Sequence, residues 1–97
     1  MKTPLTASEI KNLLHKHPRW KLHEGKLVRE WTFSNFVDAI SFVNKVAPLA
    51  EAAGHHPDID IRYNRVTLSL VSHDAGGITA RDAAMAHQLD DEFQDLP

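Results

Sequence analysis

A chain of 97 residues, 42% hydrophobic and 25% charged, suits one folded domain spanning residues 1–97 around one modest core and excludes a disordered chain. A net charge of −2 without a basic run argues against a nucleic-acid partner, and no apolar run is long enough for a signal peptide or a membrane span, so a cytoplasmic location is expected. The absence of cysteine excludes disulfides, thiolate metal sites and cysteine nucleophiles, whereas the 7 histidines supply side chains whose free pKa lies nearest neutral pH.

The first predicted element opens at "LTASEI". Thr6 and Glu9 form a capping box, and Leu5 and Ile10 stand where a hydrophobic staple would. Ile10, Leu13 and Leu14 give a short apolar stripe, and Pro18 stops the helix by His17. In "RWKLHEGKLVREWTF", Trp20 and Leu22 alternate with charged residues. Glu24-Gly25 is a turn signal, and Leu27, Trp31 and Phe33 continue at even spacing, which predicts a hairpin.

The main helix is predicted from a Ser34 cap to Gly54. Phe36, Ile40, Val43, Ala47 and Ala50 recur at helical spacing, and Phe42, Val46 and Leu49 widen the apolar arc. Pro48 falls on the wet stripe with Asp38, Ser41 and Lys45; it predicts a bend, with a break into two helices as the alternative. Gly54 suits the left-handed residue that follows a helix end.

"DIDIRYNRVTLSLVS" alternates strictly. A turn at Asn64-Arg65 would pair Tyr63 with Val66, Ile61 with Leu68 and Ile59 with Leu70, all on one face. "HDAGGI" is a loop. The last helix starts at a Thr79 cap with Asp82 in the capping-box position, and Ala86, Leu89, Phe93 and Leu96 form its core stripe. Helix, hairpin, helix, hairpin, helix is an α+β order, for which the natural solution is a four-stranded antiparallel sheet with three helices on one face.

Chemistry concentrates at "EAAGHHPDIDIRY". Gly54 permits a tight exit from the helix, and Pro57 forces His56 into extended backbone. Glu51 lies one helical turn before His55. Pairing Asp58 with Val71 brings His73 to the same end of the sheet, and Asp82 opens the helix just beyond. Three histidines and two carboxylates therefore converge on one edge.

The series Glu51, His55-His56-Pro57, Tyr63, His73 and Asp82 resembles the pterin-4a-carbinolamine dehydratases, and the likeness runs from about Pro18 to His87. Pro48 and the "DAGG" after His73 depart from that pattern without removing a matched polar residue. The resemblance implies a dehydratase that converts a 4a-hydroxytetrahydropterin to quinonoid dihydropterin and water, serving the recycling of tetrahydrobiopterin. It implies His55, His56 and His73 as catalytic groups, and substrate contacts at Glu51, Pro57, Ser72, Asp74, Ala75 and Asp82. It also implies a homodimer or homotetramer, which the open edges of a small sheet would favour.

The reaction needs a proton donor for the leaving hydroxyl and an acceptor for the N5 proton, both with pKa near 7, and no redox cofactor. Each residue also has a plain structural role open to it. The two histidines could be loop residues, Glu51 a solvated carboxylate, Asp82 only a helix cap, and Trp20 and Tyr63 core. His15, His17, His23 and His87 are most simply surface residues. Zinc is disfavoured, because adjacent histidines rarely ligate one ion and no two-histidine helical spacing is present. Two further functions stay open: a regulatory dimerisation module, as in animal members of that family, and pterin chemistry in molybdopterin metabolism.

Overall fold

The structure, a computed structural model, describes residues 3–96. Helix α1 spans Ala7–Lys16, strands β1 and β2 span Lys21–His23 and Lys26–Thr32, and helix α2 spans Phe36–Ala53. Strands β3 and β4 span Asp58–Arg62 and Arg65–Leu70, a 3-10 turn covers His73–Ala75, and helix α3 spans Ala80–Glu92. The strands form one antiparallel sheet in the order β1-β2-β4-β3, so the expected α+β architecture holds.

Local chemistry explains most of the boundaries. The Thr6 amide donates to Glu9 Oε1 at 2.9 Å and the Glu9 amide donates to Thr6 Oγ1 at 3.1 Å, which closes the capping box of α1. Glu24 and Gly25 carry φ of 51° and 76°, and two positive φ values in a row match the twist of a two-residue hairpin. Helix α2 is capped by Asn35 rather than Ser34: the Asp38 amide donates to Asn35 Oδ1 at 2.8 Å. Serine and asparagine cap about equally well, so the start shifts by one residue. The helix runs unbroken through the exposed Pro48, which excludes a break into two helices, and ends on Gly54 at φ 63°.

Two packing expectations need correction. On α2 the buried residues are Ala39, Phe42, Val46 and Ala50; Ala47 is exposed and Phe36 is half-exposed. Apolar residues cover so wide an arc of α2 that periodicity does not fix its centre. In the β3–β4 hairpin the turn residues are Tyr63 and Asn64, and Arg62 pairs with Arg65. Ile61 therefore meets Val66, Ile59 meets Leu68, and Asp58 meets Ser69 rather than Val71. A two-residue slip keeps every side chain on its face, so the alternation is satisfied either way. Tyr63 leaves the core: it is 67% exposed with φ 53°.

The core lies between the sheet and the helices. Leu27 and Trp31 of β2 and Val66, Leu68 and Leu70 of β4 face α2 and the buried Met85, Ala86 and Leu89 of α3. Trp20 meets Trp31 edge-on at 5.9 Å, and Phe42 links Trp31 to Phe93 at 4.8 and 4.9 Å. Trp20 is thus a core residue. Phe93 caps α3, and Leu96 packs partly buried beyond the helix end rather than within it.

Arg29, at an inward position of β2, is only 4% exposed, and its guanidinium lies over the Trp31 ring at 4.1 Å. Its Nη1 donates to Asp90 Oδ1 at 2.5 Å, and Trp20 Nε1 donates to the same oxygen at 2.7 Å. Asp90 Oδ2 meets His17 Nδ1 at 2.7 Å, so one carboxylate ties together the end of α1, the segment leading into β1, strand β2 and α3. Burial lowers the Arg29 pKa and Asp90 works against that shift. His17 is therefore largely buried and bonded, whereas His15, His23 and His87 are exposed. Among the described residues no helix is long and apolar enough to cross a membrane.

Candidate active site

Three segments meet where α2 ends, where β4 ends and where α3 begins. The left-handed Gly54 turns the chain out of α2, and the His55 amide bonds back to the Ala50 carbonyl at 3.2 Å. His55, His56 and the buried Pro57 bridge to β3. Across the site, Ser72 and Gly77 pair through both backbone directions, at 3.0 Å and 3.3 Å, and pinch off the turn that carries His73, Asp74 and Ala75.

These segments enclose an open pocket of roughly 280 Å³, a little below the usual range for small ligands. It is lined by Gly54, His55, His56, Val71, Ser72, His73, Asp74 and Arg81. Of the residues singled out from sequence, all three histidines, Ser72 and Asp74 reach this pocket. Asp82, Glu51, Pro57 and Ala75 are not among the lining residues: Asp82 and Glu51 bond to His55 and His56, and Pro57 and Ala75 are chain neighbours of His56 and Asp74. The slipped register of β3 does not undo the convergence, because His73 follows β4 by the same path in either pairing.

Asp82 is the centre of the arrangement. It is fully buried, and its Oδ1 meets His55 Nε2 at 2.5 Å. Its Oδ2 accepts from the Thr79 amide at 2.8 Å and from Ser72 Oγ at 2.9 Å. Since the Ser72 proton goes to Asp82, the Thr79 hydroxyl donates to Ser72 across 2.8 Å, and Thr79 Oγ1 in turn accepts from the Arg81 amide at 3.2 Å. Each hydroxyl has one proton, so the donors all run toward the carboxylate. Two donors, the Thr79 amide and the Ser72 hydroxyl, point at the buried carboxylate and leave it an acceptor toward His55. His55 Nε2 then carries the hydrogen, and Nδ1 is the ring nitrogen that Asp82 does not engage. Asp82 is both the capping-box acid of α3 and the anchor of His55.

His56 differs. Its Nε2 meets Glu51 Oε1 at 2.8 Å, but the two side chains are 63% and 81% exposed, so water weakens the pair. His73 is exposed and its ring bonds to none of the described side chains. Sequence reading missed Arg81, which lines the pocket and donates from Nη2 to Asp74 Oδ1 at 2.6 Å. The available signal was a cation in the first turn of a helix, against the macrodipole. Among the described residues, no group of three or more histidine or carboxylate side chains is disposed to hold a metal ion.

The family described as Pterin 4 alpha carbinolamine dehydratase matches residues 3–92, a span that includes every residue of this pocket. The chain belongs to this family. Provisionally named pterin-4-alpha-carbinolamine dehydratases are similar over most of their length. One from Chloroflexus aurantiacus is 54% identical over 90% of this chain and 94% of its own. Another from Acidobacterium capsulatum is 56% identical over 89% of this chain and 94% of its own. Among solved structures, one described as a transcriptional coactivator/pterin dehydratase from Brucella melitensis superimposes with a TM-score of 0.85 at 31% identity, covering 92% of this chain and 97% of that one. A pterin dehydratase-like protein described as a RuBisCO assembly factor of the alpha-carboxysome shares the fold, with a TM-score of 0.59 at 23% identity over 75% of this chain and 84% of that one. The pterin carbinolamine dehydratase family thus accounts for nearly all of the described chain.

Proposed function

We propose that this protein is a dehydratase that converts a 4a-hydroxytetrahydropterin to quinonoid dihydropterin and water by histidine acid–base catalysis, within cytoplasmic recycling of tetrahydrobiopterin. The observation that carries this reading is the shared pocket of His55, His56 and His73, with His55 anchored on the buried Asp82, in a chain of this family. In the reaction the C4a–O bond breaks, the N5–H bond breaks and a C4a=N5 double bond forms. One imidazole protonates the departing hydroxyl and another takes the N5 proton, so the step is redox-neutral and leaves the enzyme's total proton count unchanged. Asp82 holds His55 in one tautomer and stabilises it when charged; Ser72, Asp74, Pro57 and Ala75 shape the surface on which the pterin lies.

Stopped-flow measurement of carbinolamine loss tests the reading. Chelator-treated, dialysed protein should accelerate dehydration well beyond the spontaneous rate, by about 100-fold or more at saturating enzyme. A rate equal to that of buffer would overturn the proposal, and activity restored only by zinc would replace acid–base chemistry with metal chemistry.

The reading extends to a homodimer or homotetramer. Phe36 is 50% and Val37 70% exposed side by side at the start of α2, and β1 and β3 are sheet edges. Light scattering should give two or four times the chain mass; a monomer at micromolar concentration would refute it. A second reading, a regulatory interaction module, is favoured by the coactivator description of the Brucella melitensis relative. Retention of a partner regulator by a protein lacking dehydratase activity would favour it over the first.

A further inference from the structure

We propose that Arg81 is a positioning residue that sets the place of His73 by gripping the turn that carries it. This rests on the dehydratase reading above. His55 has Asp82 and His56 has Glu51, but the His73 ring has no side-chain partner among the described residues. Its position is therefore inherited from the backbone of the His73–Ala75 turn. That turn is small: the Ala75 amide bonds to the Ser72 carbonyl at 3.0 Å, the Gly76 amide to the His73 carbonyl at 3.2 Å, and Gly76 is left-handed at φ 73°. At its base the Ser72–Gly77 bridge holds it to itself. Toward its tip, Asp74 takes a 2.6 Å bond from Arg81 Nη2, which ties it to α3.

Ordinary helix chemistry does not account for Arg81. A cation in the first turn opposes the helix macrodipole. Thr79 and Asp82 already cap this end, so the guanidinium is not needed there. Arg81 Nε is also buried without a hydrogen-bond partner, a cost that a free surface arginine would escape by swinging into water. An arginine kept in this pose at both costs fits a grip on Asp74. Successive residues of an α-helix point about 100° apart. Arg81 and Asp82 use that divergence to hold two imidazole-bearing segments from one turn of α3: Asp82 takes His55 directly, and Arg81 takes His73 through Asp74.

The test compares Arg81→Met, Arg81→Lys and Asp74→Asn with the wild type, by steady-state kinetics and by hydrogen exchange at the Ala75, Gly76 and Gly77 amides. Arg81→Met should lower kcat by up to about 100-fold, the size expected when a catalytic group shifts by about 1 Å, with KM changed less than about threefold. The three amides should exchange faster while those of β4 do not. Arg81→Lys should recover part of both effects, and Asp74→Asn should reproduce the faster exchange. A kcat within about twofold of wild type overturns the proposal, as does a rise in KM alone, which would make Arg81 a substrate contact. Lower kcat with unchanged exchange overturns it too. Should the wild type itself prove inactive, the dehydratase reading falls, while exchange still decides whether Arg81 holds the turn: acceleration supports the grip and unchanged rates overturn it.

Discussion

His55→Ala should slow carbinolamine dehydration by about 100- to 10,000-fold, the range that a positioned acid or base contributes. His55 is the imidazole with the least freedom, since its side chain is only 11% exposed and its Nε2 is fixed on a fully buried carboxylate. Asp82→Asn separates the ring from its anchor. The amide keeps the shape but replaces one acceptor by a donor, so either the Ser72 and Thr79 donors or the His55 Nε2–H loses its partner. A fall of about 10- to 100-fold is expected for such an outer partner, with a stability loss of about 1–3 kcal/mol from the unmatched buried group. The pairing of the two losses is diagnostic: a cap residue alone would cost stability and spare kcat. Wild-type rates in His55→Ala would remove this histidine from the chemistry and with it the role assigned to Asp82.

The second large effect lies away from the pocket. Asp90→Ala should destabilise the fold by about 3–5 kcal/mol, the usual consequence of stranding a buried charge. Arg29 is 4% exposed and would lose its counter-charge, while Trp20 Nε1 and His17 Nδ1 would lose an acceptor. Urea denaturation should show a lower midpoint with an unchanged slope. Adding Arg29→Met to Asp90→Ala should recover part of the loss, because a flexible apolar side chain can lie on Trp31 without needing a partner. A loss below about 1 kcal/mol in the single variant would mean that the pair behaves as an exposed one and that water reaches Arg29.

The caps and turns of this chain were readable because their chemistry is local. Thr6 with Glu9, Thr79 with Asp82, Glu24-Gly25 and Gly54 each announce a backbone conformation through their own side chains or lack of one. The register of the second hairpin was not readable to better than two residues, because alternation has period two and Ile61 meets an apolar partner in either pairing. Tyr63 looked like core for that reason. The side of α2 that packs inward was likewise hidden by apolar residues on both flanks of its stripe. The site was legible as a convergence of His55, His56, His73, Glu51 and Asp82, and the geometry separates them: Asp82 is buried behind His55 and Glu51 lies in water beside His56. Arg29 and Arg81 escaped notice because a charged residue in a strand or a helix reads as solvent-facing until its partner, Asp90 or Asp74, is seen across 61 residues in one case and 7 in the other.

Asp82 sits in the last of the three helices, downstream of every imidazole of the pocket. A ribosome therefore delivers His55, His56 and His73 before it delivers the residues that anchor two of them or their turns. The β3–β4 hairpin can pair while the chain is still growing, with its histidines loosely held. The Asp82–His55 contact arises only when α3 docks, and docking also inserts Met85, Ala86 and Leu89 into the core. Completion of the hydrophobic interior and the anchoring of His55 are in this way a single event, so in a nascent chain the pocket stays half-assembled until the fold is finished.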